Sequence, residues 1–326
     1  MRKAAAALVL HPDCGRHDTG WSHPEHQGRL PAIVEAIYRD TPALLPHLLQ
    51  HEATPATLDQ LLRVHTAEHV DRVRVLSERA GEARRPLVVS GDTAISGASW
   101  DAALAAAGCA LDAVRLVAQG HTSTAFALCR PPGHHAPSNA IMGFCLFNNV
   151  AIAARSLHAD HGVERLLIVD WDVHHGNGTQ DIFYEDGDVY YLSLHQWPWY
   201  PGTGSSTERG SGAGEGRTRN VPLPAHTPRD AYFSIFDSVL DDVLTEFKPE
   251  FVLVSAGFDC LEGDPLGQLT LEPEDLHALT RRLLQVAAGR IALVLEGGYA
   301  PQRVGAGVVD VFRALCGLPS QDRASR

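Results

Sequence analysis

Short runs of aliphatic and β-branched residues recur along the chain and predict strands that are buried on both faces. Segments with apolar residues at helical spacing lie between these runs, and such alternation is typical of a parallel sheet covered by helices. The predicted strands span residues 4–10, 124–128, 166–169, 189–194, 251–255 and 291–295. The predicted helices span residues 30–38, 102–117, 231–247, 276–287 and 304–315.

The chain has no internal repeat and no long linker, which favours one domain over residues 1–326. The least regular stretch, residues 196–225, is rich in glycine, proline and serine, and we expect a long loop at the rim of a site. Its glycines lack the spacing of a nucleotide-binding loop. Residues 320–326 are polar and are expected to form a frayed tail.

Charge and cysteine content narrow the classes of function. The net charge of −12 and the absence of a dense basic stripe argue against nucleic-acid binding and weakly favour cationic partners. The 6 cysteines are scattered without CxxC pairs, so we expect reduced thiols and a cytoplasmic location. No run of apolar residues is long enough for a membrane span. The oligomeric state stays open.

Polar residues directly follow four of the predicted strands, in residues 130–135, 170–175, 256–259 and 296–299. The carboxyl ends of strands in an open parallel sheet share one edge, so these four sets can converge in a single crevice. This placement gives weight to motifs that would be uninformative alone. We therefore expect a functional site at this edge of the sheet.

The spacing of Asp172 and His174 would aim both side chains the same way in an extended segment. An isolated Asp-x-His is usually an ordinary loop pair, but a third ligand from Asp259 would leave an open coordination position, as in catalytic metal sites. This oxygen and nitrogen donor set suits Zn(II), with Fe(II) and Co(II) as alternatives.

The adjacent His134 and His135 could share the work of general base and electrostatic helper. A lone histidine pair is more often surface polarity, but here a glycine and two prolines precede it and would hold the backbone still. Asp170 and Asn177 are available to orient the pair. Tyr299 follows two glycines and could stabilise an oxyanion beside a metal ion.

With these residues the chain resembles the zinc-dependent histone deacetylase superfamily, which includes acetylpolyamine amidohydrolases and bacterial histone deacetylase-like amidohydrolases. Asn177 and residues 264–267 look more like the class II and bacterial branch. The resemblance implies the arginase-deacetylase α/β fold, with a mostly parallel eight-stranded central sheet flanked by helices. The matching segments are residues 23–25, 130–135, 143–149, 170–179, 193–195, 255–259 and 296–299.

The resemblance also implies roles for individual residues. His135 would be the general base and acid, and His134 an electrostatic partner bonded to Asp170. The implied zinc ligands are Asp172, His174 and Asp259. A structural potassium ion would match Asp170, Asp172, His174, Ser193 and Leu194, and a second monovalent site would match Phe183, Asp186 and Val189.

Substrate contacts are expected around the mouth of the site. Phe144 and Tyr200 could form apolar walls for a slender alkyl chain. By the resemblance, Asp92 matches a rim aspartate that grips substrate amides, and Arg29 an arginine near the acetate exit. The expected substrate-binding residues are Arg29, Asp92, Gly143, Phe144, Tyr200 and Leu266.

We therefore expect a deacylase that hydrolyses the amide of N-acyl-lysine side chains. An acetylpolyamine hydrolase is the alternative, but such relatives tend to place an acidic residue where Leu266 stands. Arginase-like chemistry requires a second bridging carboxylate, which this chain lacks because Gly176 occupies that position. A non-enzymatic acyl-lysine binding module is a further alternative, and the intact Tyr299 argues against it.

Overall fold

The computed structural model describes residues 4–321 and places ten strands and ten α-helices in them. The strands are β1 (Ala6–Leu10), β2 (Leu48–Glu52), β3 (Leu87–Ser90), β4 (Thr93–Ile95), β5 (Thr124–Ala127), β6 (Leu166–Asp170), β7 (Val189–Gln196), β8 (Thr218–Leu223), β9 (Phe251–Ala256) and β10 (Ile291–Leu295). The helices are α1 (Arg29–Arg39), α2 (Thr41–Leu44), α3 (Leu58–Leu61), α4 (Ala67–Ala83), α5 (Ser99–Ala118), α6 (Asn149–His161), α7 (Asn177–Phe183), α8 (Arg229–Glu246), α9 (Pro273–Leu283) and α10 (Pro301–Leu315).

Eight strands form one sheet in the order β2-β1-β5-β10-β9-β6-β7-β8, and every neighbouring pair in it is parallel. The predicted parallel sheet flanked by helices is confirmed. β5, β6, β9 and β10 are buried along their whole length, as their continuous apolar runs require. β3 and β4 form a separate antiparallel pair.

The four strands that precede the polar sets lie side by side as β5-β10-β9-β6. Their carboxyl ends therefore open onto one stretch of the sheet edge, where the four loops meet. Among the helices, α1 and α9 pack on α10, and α5 packs on α6. None of the helices in residues 4–321 has both the length and the apolar character that a membrane crossing would need.

Two strands of the sheet were not predicted, and both lie at its edges. β2 is half exposed, and β8 contains Pro222, which an edge strand tolerates because one side of it needs no ladder hydrogen bonds. The expectation that residues 196–225 form only a loop is therefore wrong, since this stretch contains β8, an edge strand of the sheet. Helices α4, α6 and α7 were also missed, and α9 ends at Leu283 rather than near residue 287.

The expected frayed tail begins at Ser320, and the structure describes its first two residues. Ser320 is buried, and the Gln321 amide donates to Asp310 at 2.8 Å. The rest of that prediction, residues 322–326, lies outside the described residues.

Candidate functional site

Three potential metal ligands converge where β6 and β9 end. Asp172 and His174 follow β6, Asp259 follows β9, and all three are buried. The Nδ1 atom of His174 lies 3.1 Å from Oδ1 of Asp172 and 3.2 Å from Oδ2 of Asp259. The ligand atoms of all three residues lie within 4.8 Å of one another.

This donor set fits a tetrahedral divalent ion. Ligand atoms about 2.0 Å from a tetrahedral zinc ion are separated by roughly 3.3 Å, close to the spacing observed here. Two buried carboxylates also need positive charge. That need is visible in His174: burial opposes its protonation, yet hydrogen bonds with Asp172 and Asp259 raise its pKa to about 10. A bound cation would supply this charge in place of the proton.

Neighbouring backbone amides fix the remaining carboxylate oxygens. Val173 donates its N–H to Oδ1 of Asp259, and Gly297 donates to Oδ2 of Asp172, each at 2.9 Å. Gly297 must lack a side chain, because a Cβ atom there would lie 2.1 Å from Oδ2 of Asp259. The loop after β10 thus closes over the ligands that follow β6 and β9.

His134 is held by carboxylates. Its Nδ1 atom lies 3.0 Å from Oδ2 of Asp170, which also accepts the hydroxyl of Tyr191 at 3.0 Å. Burial disfavours the charged ring, but the charges of Asp172 and Asp170 raise the pKa of His134 to about 10. His134 is therefore suited to carry a positive charge rather than to accept a proton.

His135 has the opposite character. Asn177 donates its Nδ2–H to the His135 carbonyl at 3.3 Å, so its Oδ1 atom faces the His135 ring and accepts from Nδ1 at 2.8 Å. This tautomer leaves Nε2 free to accept a proton. Burial, followed by the charges of His134 and His174, lowers the pKa of His135 well below its ordinary value. The two adjacent histidines thus differ in role because their surroundings differ.

A cavity of about 240 Å³ leads to these residues. The rings of Tyr200 and His135 meet edge to face at 5.1 Å, and those of Phe144 and Tyr299 at 5.8 Å. Burial raises the pKa of Tyr299 well above its ordinary value, so its hydroxyl stays protonated and can donate. The lining consists of Asp92, His135, Gly143, Phe144, His174, Trp199, Tyr200, Pro265, Leu266 and Tyr299.

Five of the six expected substrate-binding residues line this cavity, and Arg29 does not. Arg29 is fully buried and donates to the carbonyls of Gly298 at 2.6 Å and Glu296 at 2.7 Å. Its guanidinium lies 5.1 Å from the centre of the Tyr299 ring. Arg29 therefore holds the loop that carries Tyr299. Trp199 and Pro265 also line the cavity; they were not among the expected substrate-binding residues, although Trp199 lies in the expected rim loop and Pro265 in the matching residues 264–267.

Three of the expected potassium ligands lie on neighbouring strands, where Asp170 of β6 is the register partner of Ser193 of β7, and Asp172 and His174 lie in the loop after β6. Leu194 follows Ser193 in the buried part of β7. At the expected second monovalent site, Arg155 pairs with Asp186 at 2.5 Å and lies over the Phe183 ring at 4.6 Å. Val189 begins β7 beside them.

Two buried carboxylates anchor the loops that carry His134 and Tyr299, and the sequence analysis included both in matching segments without assigning them a role. Glu296 accepts the amides of Gly133 at 2.6 Å and His134 at 3.1 Å, so it fixes the histidine loop. Glu25 pairs with Arg29 at 3.0 Å and with the guanidinium of Arg130. Glu25 and Arg29 form a local i,i+4 pair, but the contacts of Glu25 with Arg130 and of Glu296 with the histidine loop join residues more than 100 positions apart, so no local pattern signals them.

The buried ion pairs of Glu25 with Arg29 and Arg130 predict that the folded protein loses stability in acid. Burial raises the pKa of Glu25, but Arg130 and Arg29 outweigh it and lower the value from 4.5 to about 2. A carboxylate with a lowered folded-state pKa stabilises the fold above its unfolded-state pKa, and this contribution is lost as the pH falls toward 2. Glu25→Gln is expected to lower the free energy of unfolding at pH 7 by about 3 kcal/mol. Urea unfolding should show the difference from wild type shrinking between pH 4.5 and 2, and a constant difference would contradict the assignment.

Comparisons with known proteins agree with this geometry. Residues 23–315 match the family described as histone deacetylase domain. A probable deacetylase of Archaeoglobus fulgidus is 39% identical over 90% of this chain and 81% of its own length. The chloroplastic histone deacetylase 10 of Oryza sativa is 38% identical over 98% of this chain and 75% of its own length. The crystal structure of the HDA15 HD domain superposes with a TM-score of 0.92 at 36% identity, covering 98% of this chain and 90% of that one.

Proposed function

The chain belongs to the histone deacetylase family and is a deacetylase-like amidohydrolase, and from this premise we propose that it is a zinc-dependent deacylase of N-acyl-lysine side chains. One observation carries the proposal. His135, whose Nδ1 atom lies 2.8 Å from Oδ1 of Asn177, and Tyr299 line the same cavity as His174, one of the three converging potential metal ligands. Base, oxyanion donor and Lewis acid site are the three parts that amide hydrolysis needs.

Asp172, His174 and Asp259 would hold the zinc ion, which supplies Lewis acidity toward the amide carbonyl and lowers the pKa of a nearby water. His135 takes a proton from the attacking water on Nε2 and then donates it to the leaving amine nitrogen. Tyr299 donates a hydrogen bond to the carbonyl oxygen as negative charge develops there. His134, held by Asp170, adds positive charge beside the reacting atoms. The products are a free amine and a carboxylate.

We propose further features from the same family resemblance. Fe(II) or Co(II) could replace zinc on this donor set. Potassium would bind Asp170 and its register partner Ser193 with backbone oxygens nearby, and a second monovalent ion would bind near Phe183, Asp186 and Val189. The six free cysteines favour a cytoplasmic location and a reducing environment. One deacetylase domain would comprise the whole chain.

The rim favours acyl-lysine over acylpolyamine substrates. Among the residues that line the cavity mouth, Asp92 is the single carboxylate, while Trp199, Pro265 and Leu266 are apolar. A polyamine carries positive charges along its chain and gains from anionic partners there. A peptide backbone carries no such charge, so an apolar rim with one amide-binding carboxylate suits it better.

Leu266→Glu is expected to favour acetylspermidine over an acetyl-lysine peptide. The ratio of the two kcat/KM values should rise about tenfold, which corresponds to roughly 1.4 kcal/mol of added attraction between the new carboxylate and the polyamine. Leu266→Gln is the matched control, because it has a similar volume without the charge and should leave the ratio near the wild-type value. The wild-type protein should prefer the peptide. A wild-type preference for acetylspermidine would instead favour the polyamine alternative.

A further inference from the structure

Asp264 connects the rim of the cavity to the residue assigned as oxyanion donor. Its side chain is 7% exposed and lies on the loop that follows Asp259. The Oδ2 atom accepts the backbone N–H of Tyr299 at 2.6 Å, and the Oδ1 atom accepts that of Leu266 at 2.9 Å. One carboxylate therefore fixes the backbone at both residues.

The peptide group before Tyr299 follows a glycine in an unusual backbone conformation, so hydrogen bonds must hold it in place. Gly298, directly before it, has a φ of +117°, a region that L side chains rarely adopt. The ring of Tyr299 is flanked by Phe144 and Arg29, and Arg29 also donates to the Gly298 carbonyl of the same peptide group at 2.6 Å. Arg29 thus holds the carbonyl side of this peptide group, and Asp264 holds its N–H side.

The loop that carries Asp264 is itself firmly placed. A Cβ atom at Gly267 would lie 2.3 Å from the carbonyl oxygen of Asp259, so the loop packs directly on the backbone of a metal-ligating residue. The indole N–H of Trp199 donates to the carbonyl of Leu266 at 2.9 Å, which ties in the opposite rim loop. These contacts hold the loop that carries Asp264 in a fixed position beside Asp259 and Trp199.

We propose that Asp264 is a positioning residue that sets the place of the Tyr299 hydroxyl and couples it to substrate contact at Leu266. The inference rests on the proposed function, in which Tyr299 stabilises the oxyanion. A carboxylate can accept hydrogen bonds from the N–H groups of Leu266 and Tyr299 at once. An asparagine offers one oxygen and one NH₂ group, and so loses one of the two hydrogen bonds.

Asp264→Asn is expected to lower kcat on an acetyl-lysine peptide by about tenfold, because displacements of a catalytic group by less than 1 Å already reduce rates strongly. KM and the melting temperature should change little. Asp310→Asn is the matched control: Asp310 is also buried and accepts one backbone amide, but that amide belongs to Gln321, which does not line the cavity as Tyr299 and Leu266 do. This control should retain wild-type kcat, and a tenfold loss in it would overturn a specific role for Asp264.

The decisive measurement is a double-mutant cycle with Tyr299→Phe. If Asp264 acts through the Tyr299 hydroxyl, adding Asp264→Asn to Tyr299→Phe should change kcat by less than about twofold. A full further tenfold loss would overturn the inference and leave the proposed function intact. Wild-type kcat in Tyr299→Phe alone would instead contradict the proposed function. If Asp264→Asn does not fold, the cycle is repeated with Asp264→Glu, whose extra methylene group displaces both acceptor oxygens and with them the Tyr299 backbone, under the same expectation.

Discussion

Replacing His135 by alanine is expected to lower kcat on an acetyl-lysine peptide by about 10²- to 10⁴-fold, the usual contribution of a general acid and base. The reason lies in the hydrogen bonds of Asn177, which place the proton on Nδ1 and leave Nε2 of His135 free. The adjacent His134 cannot substitute, since its ring is held by Asp170 and its pKa is raised to about 10. Steady-state kinetics at saturating peptide measure the loss.

His277→Ala is a matched control for this variant. His277 lies on α9 outside the cavity, where its Nε2 atom bonds the Leu318 carbonyl at 2.8 Å. This control should retain wild-type kcat. Metal content and the melting temperature of the His135→Ala protein should stay near wild-type values, because His135 is not one of the converging ligands. Wild-type turnover in His135→Ala would show that another group serves as the base.

Asp259→Asn is expected to remove both bound metal and turnover. Oδ2 of Asp259 is one of the three converging ligand atoms, and its Oδ1 is already used by the Val173 amide. Losing an outer partner of a metal ligand typically costs 10- to 100-fold, so loss of a direct ligand should lower turnover by more than about 10²-fold. Metal analysis after gel filtration and peptide turnover with added zinc measure the two effects.

Asp275→Asn controls for the loss of a buried carboxylate, since Asp275 caps α9 and pairs with Arg229 outside the cavity. It should bind metal as the wild type does. Stoichiometric zinc in the Asp259→Asn protein, with unchanged affinity, would remove Asp259 from the ligand set.

The interior of the sheet was predictable because strands buried on both faces consist of continuous apolar runs. β2 and β8 were not, since an edge strand buries fewer of its residues, and β8 carries Arg219 and Pro222 among its six positions. Pairing with β7 makes this segment a strand, and tertiary pairing leaves no local signature.

The strand-end rule alone predicts that the potential metal ligands, the histidine pair and Tyr299 lie at one edge of the sheet. The supporting ion pairs could not be found in that way. Glu25 and Arg130 are 105 residues apart in the sequence, yet their side chains are paired and fully buried. Likewise, the bond from Tyr299 to Asp264 depends on how two loops fold against each other.

Product analysis tests the central claim most directly. Zinc-reconstituted protein is incubated with an acetyl-lysine peptide, and the acetate and free lysine amine are quantified over time. We expect equal amounts of the two products over many turnovers, and none from the metal-free protein. Tight peptide binding by zinc-containing protein without any release of acetate would contradict the account and favour a binding module.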